Sequence, residues 1–260
     1  MKGIKLKEPR NVDCVELEKP VPGPGEALIR IVTAGICGSD IGAFRGTNTL
    51  VSYPRIIGHE LAGIVEEIPA DNPKGLKPGD KVIVDPYIYC GECYPCSIGR
   101  TNCCTSLKVL GVHIDGGMAE YFCHPADMLV KMPEDMDWTD AAMAEPLTIS
   151  LPGIHRGGLK AGEYCAIIGA GPIGLLAGMI AQAYGAHAIL LDLVQERLDF
   201  AKELGIEYVI NSGEEDAAAR VSEITGGMMA QQVMECSGSN AAIRSSLDLV
   251  SNAGRITLTG

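Results

Sequence analysis

A glycine-rich turn between a predicted strand and a predicted helix constrains the fold of this chain more than any other feature. The turn, GAGPIG at residues 169–174, follows the apolar run YCAII and precedes a helical run that reaches Tyr184. In such a unit the first glycine allows a tight turn, the second lets a ligand approach the backbone, and the third lets helix and strand pack closely. The helix N-terminus also directs free N–H groups and a positive dipole end at a phosphate. The residues predicted to contact a dinucleotide are Gly169, Gly171, Pro172, Ile173 and Gly174.

The rest of the second half alternates apolar strands with amphipathic helices. After the glycine turn come AILLD, the helical run QERLDFAKELG, YVIN, a helix, QQVMECSG, another helix and RITLTG. This alternation is typical of a parallel sheet that is covered by helices on both faces. We therefore predict a doubly wound parallel sheet of five strands.

The first half has a different pattern, in which short β-rich runs are separated by turn residues. From Glu26 to about Pro133 it contains runs such as EALIRIVTAGI, ELAGIVEEI and DKVIVDPYI, broken by VPGPGE and LKPGD. This pattern favours a small β-barrel or sandwich. The join, AEPLTISLPGIHRGGLKAGE, is rich in proline and glycine, which predicts two domains, residues 1–150 and 151–260, in an α/β chain.

Asp192 ends the strand that follows the glycine turn. A carboxylate at this position can accept hydrogen bonds from both hydroxyls of an adenosine ribose, and it would repel a 2′-phosphate. The sequence therefore predicts NAD rather than NADP, with Arg197 as a further contact on the adenosine side. The alternative is a glycine-rich turn in an ordinary α/β domain, with Asp192 as a surface residue.

Five of the ten cysteines lie in the stretch CGECYPCSIGRTNCC, residues 90–104. Cys90, Cys93 and Cys96 have the spacing C-x2-C-x2-C, and either Cys103 or Cys104 can supply a fourth sulfur. Four thiolates around one zinc ion leave no coordination position open, so such a site holds a loop in place and does not bind substrate. Clustered cysteines in a reducing compartment are more often metal ligands than disulfides. We predict a structural zinc site, with unliganded thiols as the alternative.

A second set of residues is better suited to catalysis. Cys37 lies in AGICGSD, His59 and Glu60 lie in IIGHELAG, and Glu145 lies in AEPL. A lone buried cysteine or histidine usually has a purely structural role. Together, however, a thiolate, an imidazole and carboxylates suit a catalytic zinc ion with one open position.

Composition excludes several classes of function. The formal net charge of −12 and the pI near 4.9 argue against a nucleic-acid partner, which requires a basic surface. The one long apolar run, residues 169–191, is interrupted by glycines and Pro172, which favours a strand, a helix and a second strand over a membrane span. The N-terminal MKGIKLKEPRN lacks the apolar core of a secretory signal, so we expect a cytoplasmic protein.

The motifs GICGSD, YPRIIGHELAG, LKPGDKV, CGECYPC, AEPL and IIGAGPIG occur in the order seen in the zinc-dependent medium-chain dehydrogenases. The chain resembles the branch that contains sorbitol, threonine and sugar-acid dehydrogenases, because Glu145 stands where typical alcohol dehydrogenases have a second cysteine. SYPRIIGHE, SIGRTNCC and GVHIDGGMAEY are most similar to the hexonate 5-dehydrogenases, which oxidise gulonate or galactonate.

The resemblance implies an N-terminal GroES-like barrel and a C-terminal Rossmann domain, with substrate in the cleft between them. It also implies two zinc ions per chain, NAD, a small polyol or sugar-acid substrate, and a homo-oligomer for the full-length protein. Ser39 matches the hydroxyl that accepts the substrate's proton, and Asp40 matches the carboxylate that orients the imidazole of His59. The implied ligands are Cys37 and His59 with Glu60 or Glu145 at the catalytic zinc, and Cys90, Cys93, Cys96 and Cys104 at the structural zinc.

The chain departs from the family pattern at two places. Gly42 stands where many relatives have a histidine at the outer end of a proton relay. The sequence also stops at Gly260, after the fifth Rossmann strand, where relatives continue, and we expect it to be a truncated version. The function expected from the residues is zinc-dependent transfer of hydride from a secondary alcohol to NAD. The alternatives are threonine 3-dehydrogenase activity and a non-catalytic protein that binds zinc and a nucleotide.

Overall fold

The computed structural model describes residues 1–260 and divides into two compact units, Met1–Glu145 and Pro146–Gly260. Each unit has its own sheets and its own buried apolar core. None of the helices has the length and apolar character needed to cross a lipid bilayer.

The first unit is built from short strands and a few short helices. Its strands are β1 (Lys2–Glu8), β2 (Asn11–Glu16), β3 (Glu26–Ala34), β4 (Arg55–Ile56), β5 (Leu61–Glu67), β6 (Lys81–Val84), β7 (Tyr87–Ile88), β8 (Lys108–Val109), β9 (Tyr121–Pro125) and β10 (Leu129–Lys131). Its helices are α1 (Gly38–Arg45), α2 (Tyr94–Ser97) and α3 (Trp138–Ala142), and α4 (Ala144–Arg156) begins there. Two single 3₁₀ turns cover Thr101–Cys103 and Ala126–Met128.

An antiparallel sheet of five strands, in the order β10-β6-β5-β3-β9, forms the main part of this unit. Alternate residues point into one core, as Ala27 and Ile29 do from β3 and Val82 and Val84 do from β6. Burying each of the larger of these side chains contributes about 1.5–3 kcal/mol. The β-rich first half expected from its short runs and turn residues is confirmed.

The close packing of β3 and β5 depends on a glycine. A Cβ at Gly63 of β5 would overlap the carbonyl oxygen of Arg30 and the side chain of Ile29. Only a residue without a side chain therefore lets the two strands approach at this point. β3 ends three residues before Cys37, and β5 begins directly after Glu60.

His124 is a buried polar residue in this core, with 1% of its surface exposed. Its Nε2 lies 2.7 Å from the carbonyl oxygen of Asp85, and its Nδ1 has no hydrogen-bond partner. The carbonyl can only accept, so Nε2 carries the proton and the ring is neutral. Burial lowers the pKa of His124 from its ordinary value, and this outweighs the opposing effects of the Asp85 carbonyl and nearby carboxylates.

We expect His124 to make the first unit less stable in acid. The unfolded chain binds a proton below a pH of about 6.5, whereas the folded chain resists it, so stability falls as the pH drops through that value and levels off below the folded pKa. The loss between pH 7.5 and pH 5.5 should be at most about 1.4 kcal/mol. Urea unfolding of the wild type and of His124→Gln at pH 7.5 and 5.5 measures it. The variant should lose less stability than the wild type, and His155→Gln, at an exposed histidine, should behave as the wild type. Equal losses in all three proteins would contradict the prediction.

The second unit is a parallel sheet flanked by helices. Its strands are β11 (Tyr164–Ile168), β12 (His187–Asp192), β13 (Tyr208–Asn211), β14 (Ala230–Glu235) and β15 (Val250–Leu258). Its helices, after the end of α4, are α5 (Pro172–Ala183), α6 (Gln195–Glu203), α7 (Ala217–Ile224) and α8 (Asn240–Leu249). The strand order is β13-β12-β11-β14-β15, and all the pairs are parallel.

Both faces of this sheet are covered. Ile167 and Leu190 belong to one buried cluster, whereas Ala166 and Ile189 belong to the other. Because successive side chains of a strand point to opposite faces, strands buried on both sides read as continuous apolar runs. The predicted doubly wound sheet of five strands is therefore confirmed.

Candidate functional site

Three potential metal ligands from two separate segments of the first unit meet in its interior. The sulfur of Cys37, a ring nitrogen of His59 and a carboxylate oxygen of Glu60 all lie within 4.8 Å of one another. His59 and Glu60 are buried, and Cys37 is half-buried. The structure thus brings together three of the four residues predicted for the catalytic zinc.

Local hydrogen bonds fix the two segments that carry these ligands. Cys37 precedes α1, and its backbone N–H donates to the carboxylate of Asp40 at 3.0 Å, which closes the first turn of the helix. The backbone N–H of Gly35 donates to the carbonyl of Glu60 at 2.8 Å. A Cβ at Gly35 would overlap the Glu60 carboxylate, so this glycine makes room for the ligand. The sequence analysis missed that role, which no spacing rule indicates.

The charges around His59 favour a bound cation. Burial lowers the pKa of His59, but its hydrogen bond with Cys37 and the negative charges of Asp40, Cys37 and Glu145 outweigh this effect and raise the pKa to about 9. Burial raises the pKa values of Asp40 and Glu60. One imidazole therefore lies among several acidic groups that have been taken out of water, where the charged form of each is unfavourable without a nearby cation.

The donor set fits zinc. A thiolate, an imidazole and a carboxylate are all ligands that zinc takes, and three protein ligands are typical of a catalytic site. The Nδ1 atom of His59 is buried and has no hydrogen-bond partner. A buried polar atom without a hydrogen-bond partner often binds a water molecule or an ion.

Glu145, the fourth predicted ligand, lies outside the set of three and has its own partner. It is buried in the first turn of α4, and its Oε1 accepts a hydrogen bond from the hydroxyl of Tyr87 in β7. Burial and this hydrogen bond raise the pKa of the Tyr87 hydroxyl well above its ordinary value, so the hydroxyl is a neutral donor. The sequence analysis missed Tyr87, because nothing in DPYIYC marks it.

Ser39 and Asp40 both lie in the first turn of α1, beside Cys37. Ser39 is half-buried, and its backbone carbonyl accepts a hydrogen bond of 3.4 Å from the side chain of Asn48. Asp40 is buried, and the contribution of its charge to the pKa of His59 shows that the two residues are close. The roles of Ser39 in proton transfer and of Asp40 in orienting His59 stay predictions.

A second cluster consists of the sulfurs of Cys90, Cys93, Cys96 and Cys104, which lie within 4.8 Å of one another. The sulfurs of Cys93 and Cys96 are 3.4 Å apart, and those of Cys90 and Cys104 are 3.5 Å apart. Four thiolates at about 2.3 Å from a central zinc ion would lie at roughly such separations. The cluster therefore fits a closed tetrahedral site.

Backbone N–H groups point at these sulfurs and favour the thiolate form. Cys90 N–H donates to the sulfur of Cys104 at 3.3 Å, and Ser106 N–H donates to it at 3.4 Å. Such bonds lower the pKa values of Cys90, Cys93 and Cys104. The neighbouring Cys103 is exposed and is not part of the cluster, so the structure distinguishes the two candidates that spacing left open.

The glycine turn forms the start of α5 at the carboxyl edge of the parallel sheet. Gly169 has a φ of +107°, which a residue with a side chain rarely adopts. A Cβ at Gly174 would overlap the carbonyl oxygen of Gly169, whereas a Cβ at Gly171, which precedes the first helical residue Pro172, would meet only open space. Ile173 is half-buried in the first turn of α5. These features fit a backbone that a pyrophosphate can approach.

Asp192 ends β12 beside this turn. Its Oδ2 accepts a hydrogen bond of 2.6 Å from the N–H of Ala170, and Oδ1 accepts from the N–H groups of Leu193 and Val194. Arg197 lies 3.6 Å from Oδ2. The carboxylate predicted to bind ribose is thus also bonded to the backbone of the phosphate turn, a contact that the sequence did not reveal.

Comparison with known proteins identifies the family of this chain. Residues 23–134 match the family model of the alcohol dehydrogenase GroES-like domain, and residues 172–260 match that of the zinc-binding dehydrogenases. The chain is 54% identical to a zinc-type alcohol dehydrogenase-like protein of Haemophilus influenzae, and the match covers 100% of the chain and 76% of the relative.

Relatives with named activities are more distant. The L-galactonate-5-dehydrogenase of Escherichia coli K12 is 36% identical over 100% of the chain and 76% of its own length. The L-threonine 3-dehydrogenase of Pyrococcus furiosus is 38% identical over 99% of the chain and 74% of its own length.

Two solved structures share the fold. The alcohol dehydrogenase RspB of E. coli CFT073, in complex with NADH, has a TM-score of 0.91 and 36% identity, covering 99% of this chain and 75% of its own. A protein described as a zinc-binding dehydrogenase of Sinorhizobium meliloti, bound to NADP, has a TM-score of 0.94 and 31% identity, covering 100% and 76%. Both the fold and the sites agree with these matches, and the chain belongs to the zinc-dependent medium-chain alcohol dehydrogenases, oxidoreductases that act on alcohols with zinc and a nicotinamide cofactor.

Proposed function

We propose that this protein oxidises a secondary hydroxyl of a polyol or sugar acid, with L-gulonate or L-galactonate at C5 as the leading candidates, and that its cofactor is NAD. The observation that carries the proposal is the set of Cys37, His59 and Glu60, whose potential ligand atoms all lie within 4.8 Å of one another. The relative named as an L-galactonate-5-dehydrogenase supports the substrate class.

The residues of the first unit have distinct roles in this proposal. Cys37 and His59 hold a catalytic zinc ion together with Glu60 or Glu145. When bound, zinc supplies Lewis acidity that lowers the pKa of an alcohol hydroxyl. Ser39, two residues after Cys37, accepts the proton that the alcohol releases, and Asp40 balances the charge on His59.

The second metal site has a structural role. Cys90, Cys93, Cys96 and Cys104 hold a zinc ion that connects α2 with the 3₁₀ turn at Thr101–Cys103. With four sulfur ligands this site has no open position, so it fixes the loop and takes no part in the reaction.

The glycine turn and Asp192 support NAD. The turn receives the pyrophosphate, and the carboxylate lies at the end of β12, where the adenosine ribose binds in folds of this type. A 2′-phosphate would meet the negative charge of Asp192, with only the half-exposed Arg197 to offset it. The NADH complex of RspB supports the same choice, whereas the NADP complex of the S. meliloti protein shows that the family accommodates both cofactors.

The P. furiosus relative gives a second candidate, L-threonine as the substrate. Both candidate classes present a secondary hydroxyl for oxidation, so both can use the same metal site. Measured oxidation rates with each substrate therefore have to distinguish the two candidates.

Formation of reduced cofactor, followed by its ultraviolet absorbance, tests these points together. The substrates are L-gulonate, L-galactonate, sorbitol, simple alcohols and L-threonine, each with NAD and with NADP. We expect the highest kcat/KM with a hexonate or a polyol, and a preference for NAD of tenfold or more, equivalent to about 1.4 kcal/mol. Preference for L-threonine would favour the second candidate, and preference for NADP would contradict the role given to Asp192.

A further inference from the structure

Two buried carboxylates, those of Glu60 and Glu145, could each bind the catalytic zinc ion, and the structure holds them in different places. If Glu60 and Glu145 both joined Cys37 and His59, four protein ligands would fill the tetrahedron around zinc, and no position would remain for substrate. One carboxylate must therefore be kept away from the ion. Glu60 lies within 4.8 Å of the other two ligand atoms, whereas Glu145 is outside that set and bonded to Tyr87.

We propose that Tyr87 is a positioning residue, whose hydroxyl holds the carboxylate of Glu145 away from the metal and thereby keeps one coordination position open. The proposal rests on the proposed function, because it concerns the same metal site. It assigns direct ligation to Cys37, His59 and Glu60.

The backbone of Tyr87 is fixed independently of Glu145. Tyr87 pairs with Val109 across the β7–β8 ladder, and its N–H donates to the side chain of Asp85 at 3.1 Å. A tyrosine side chain has only two rotatable bonds before its rigid ring, so a fixed backbone places the hydroxyl within narrow limits. Glu145, in the first turn of α4, reaches the hydroxyl from a segment 58 residues away in the sequence. The donor is therefore pre-positioned, and the carboxylate is directed to it.

The hydroxyl directs one oxygen of Glu145 and leaves its other lone pairs free for further partners. A carboxylate has about four lone-pair positions, and a neutral hydroxyl occupies one of them on Oε1. Oriented outer partners of this kind are an established way of tuning a metal site. Tyr87 also lies close enough to Cys37 for their charges to interact.

The test compares Tyr87→Phe, which removes one hydroxyl, with the wild type after replacement of zinc by cobalt(II). Without the hydroxyl, Glu145 should join the ion as a fourth protein ligand. We expect three results: a changed d–d absorption spectrum, zinc affinity that is unchanged or higher in competition with a chromogenic chelator, and kcat reduced by about 10- to 100-fold. The four-cysteine cluster is the same in both proteins, so the difference spectrum reports the catalytic site. Tyr121→Phe, at a half-buried tyrosine under Lys19, is the control and should match the wild type in all three measurements.

The double variant with Glu145→Gln tests whether Tyr87 acts through Glu145. In a Glu145→Gln background the side chain has no charge with which to compete for the metal, so adding Tyr87→Phe should leave the cobalt spectrum unchanged. The same spectral change in that background would show that Tyr87 acts by another route. A tyrosine with only a structural role would instead give an unaltered spectrum with zinc affinity lowered 10- to 100-fold. Either result would overturn the proposal.

The metal measurements need no substrate, which separates this proposal from the proposed function. Wild type that binds cobalt with the expected spectral response to Tyr87→Phe, but oxidises nothing in the substrate panel, would count against the proposed function and leave the role of Tyr87 standing. Turnover of a hexonate without any spectral response to Tyr87→Phe would support the proposed function and overturn the role of Tyr87.

Discussion

Replacing Cys37 by serine should abolish alcohol oxidation and leave the binding of NADH intact. Serine has the same shape, but its hydroxyl stays protonated near neutral pH and is a poor zinc ligand. A bound metal contributes several kcal/mol to the stabilisation of the transition state, so kcat/KM should fall by about 10³-fold or more. The glycine turn and Asp192 lie in the second unit, which has its own core, so cofactor binding should persist. Initial rates, NADH fluorescence titration and zinc content per chain measure the three effects.

Cys14→Ser is the matched control for this variant. Cys14 is an exposed thiol on β2 in the same unit, remote in sequence from both metal sites. It should retain activity, cofactor binding and zinc. If Cys37→Ser lost NADH binding while its circular dichroism spectrum matched the wild type, the separation of metal and cofactor roles between the two units would be wrong.

Periodicity in the sequence was sufficient to predict most of the fold. Short β-rich runs bounded by turn residues mark strands such as β3 and β6, and continuous apolar runs mark the strands that are buried on both faces, such as β11 and β12. Both patterns lie within a single segment, so they depend on neighbouring residues only. The glycine turn was equally readable, because strand, turn and helix adjoin one another.

A site was harder to predict from the sequence when its residues lie farther apart along the chain. Three of the cluster cysteines lie within a few residues of one another, and their spacing alone indicated a metal. Cys37 and His59, in contrast, are separated by α1, a loop and β4, and each alone has an ordinary structural explanation. Only the order of several motifs, through the resemblance to a family, made them a set.

The contacts that no sequence pattern predicted are those that depend on packing. The hydroxyl of Tyr87 reaches Glu145 only because β7 and the start of α4 lie side by side, and either residue could have faced elsewhere without any change in periodicity. The bond from Ala170 to Asp192 likewise requires the carboxyl ends of β11 and β12 to meet at one edge. Such contacts are set by the assembled sheet rather than by local sequence.

Replacing Cys104 by serine should release the structural zinc ion and destabilise the first unit. Cys104 is the buried member of the cluster, and its sulfur receives two backbone hydrogen bonds, so the replacement removes a metal ligand whose thiolate form those bonds favour. Zinc binding of this kind contributes directly to folding. A loss of about 3 kcal/mol would lower the unfolding temperature by roughly 6–12 °C. Differential scanning calorimetry and zinc analysis per chain measure the change.

The adjacent Cys103 provides the sharpest control for Cys104. The two residues are neighbours in sequence, yet Cys103 is exposed, lies in the 3₁₀ turn and has its sulfur outside the cluster. Cys103→Ser should therefore keep its zinc and unfold within about 1 °C of the wild type. Release of zinc by Cys103→Ser but not by Cys104→Ser would mean that the loop binds the ion in a different register. Because a closed site excludes substrate, Cys104→Ser should also lose activity only in step with the loss of folded protein, whereas Cys37→Ser loses it while fully folded.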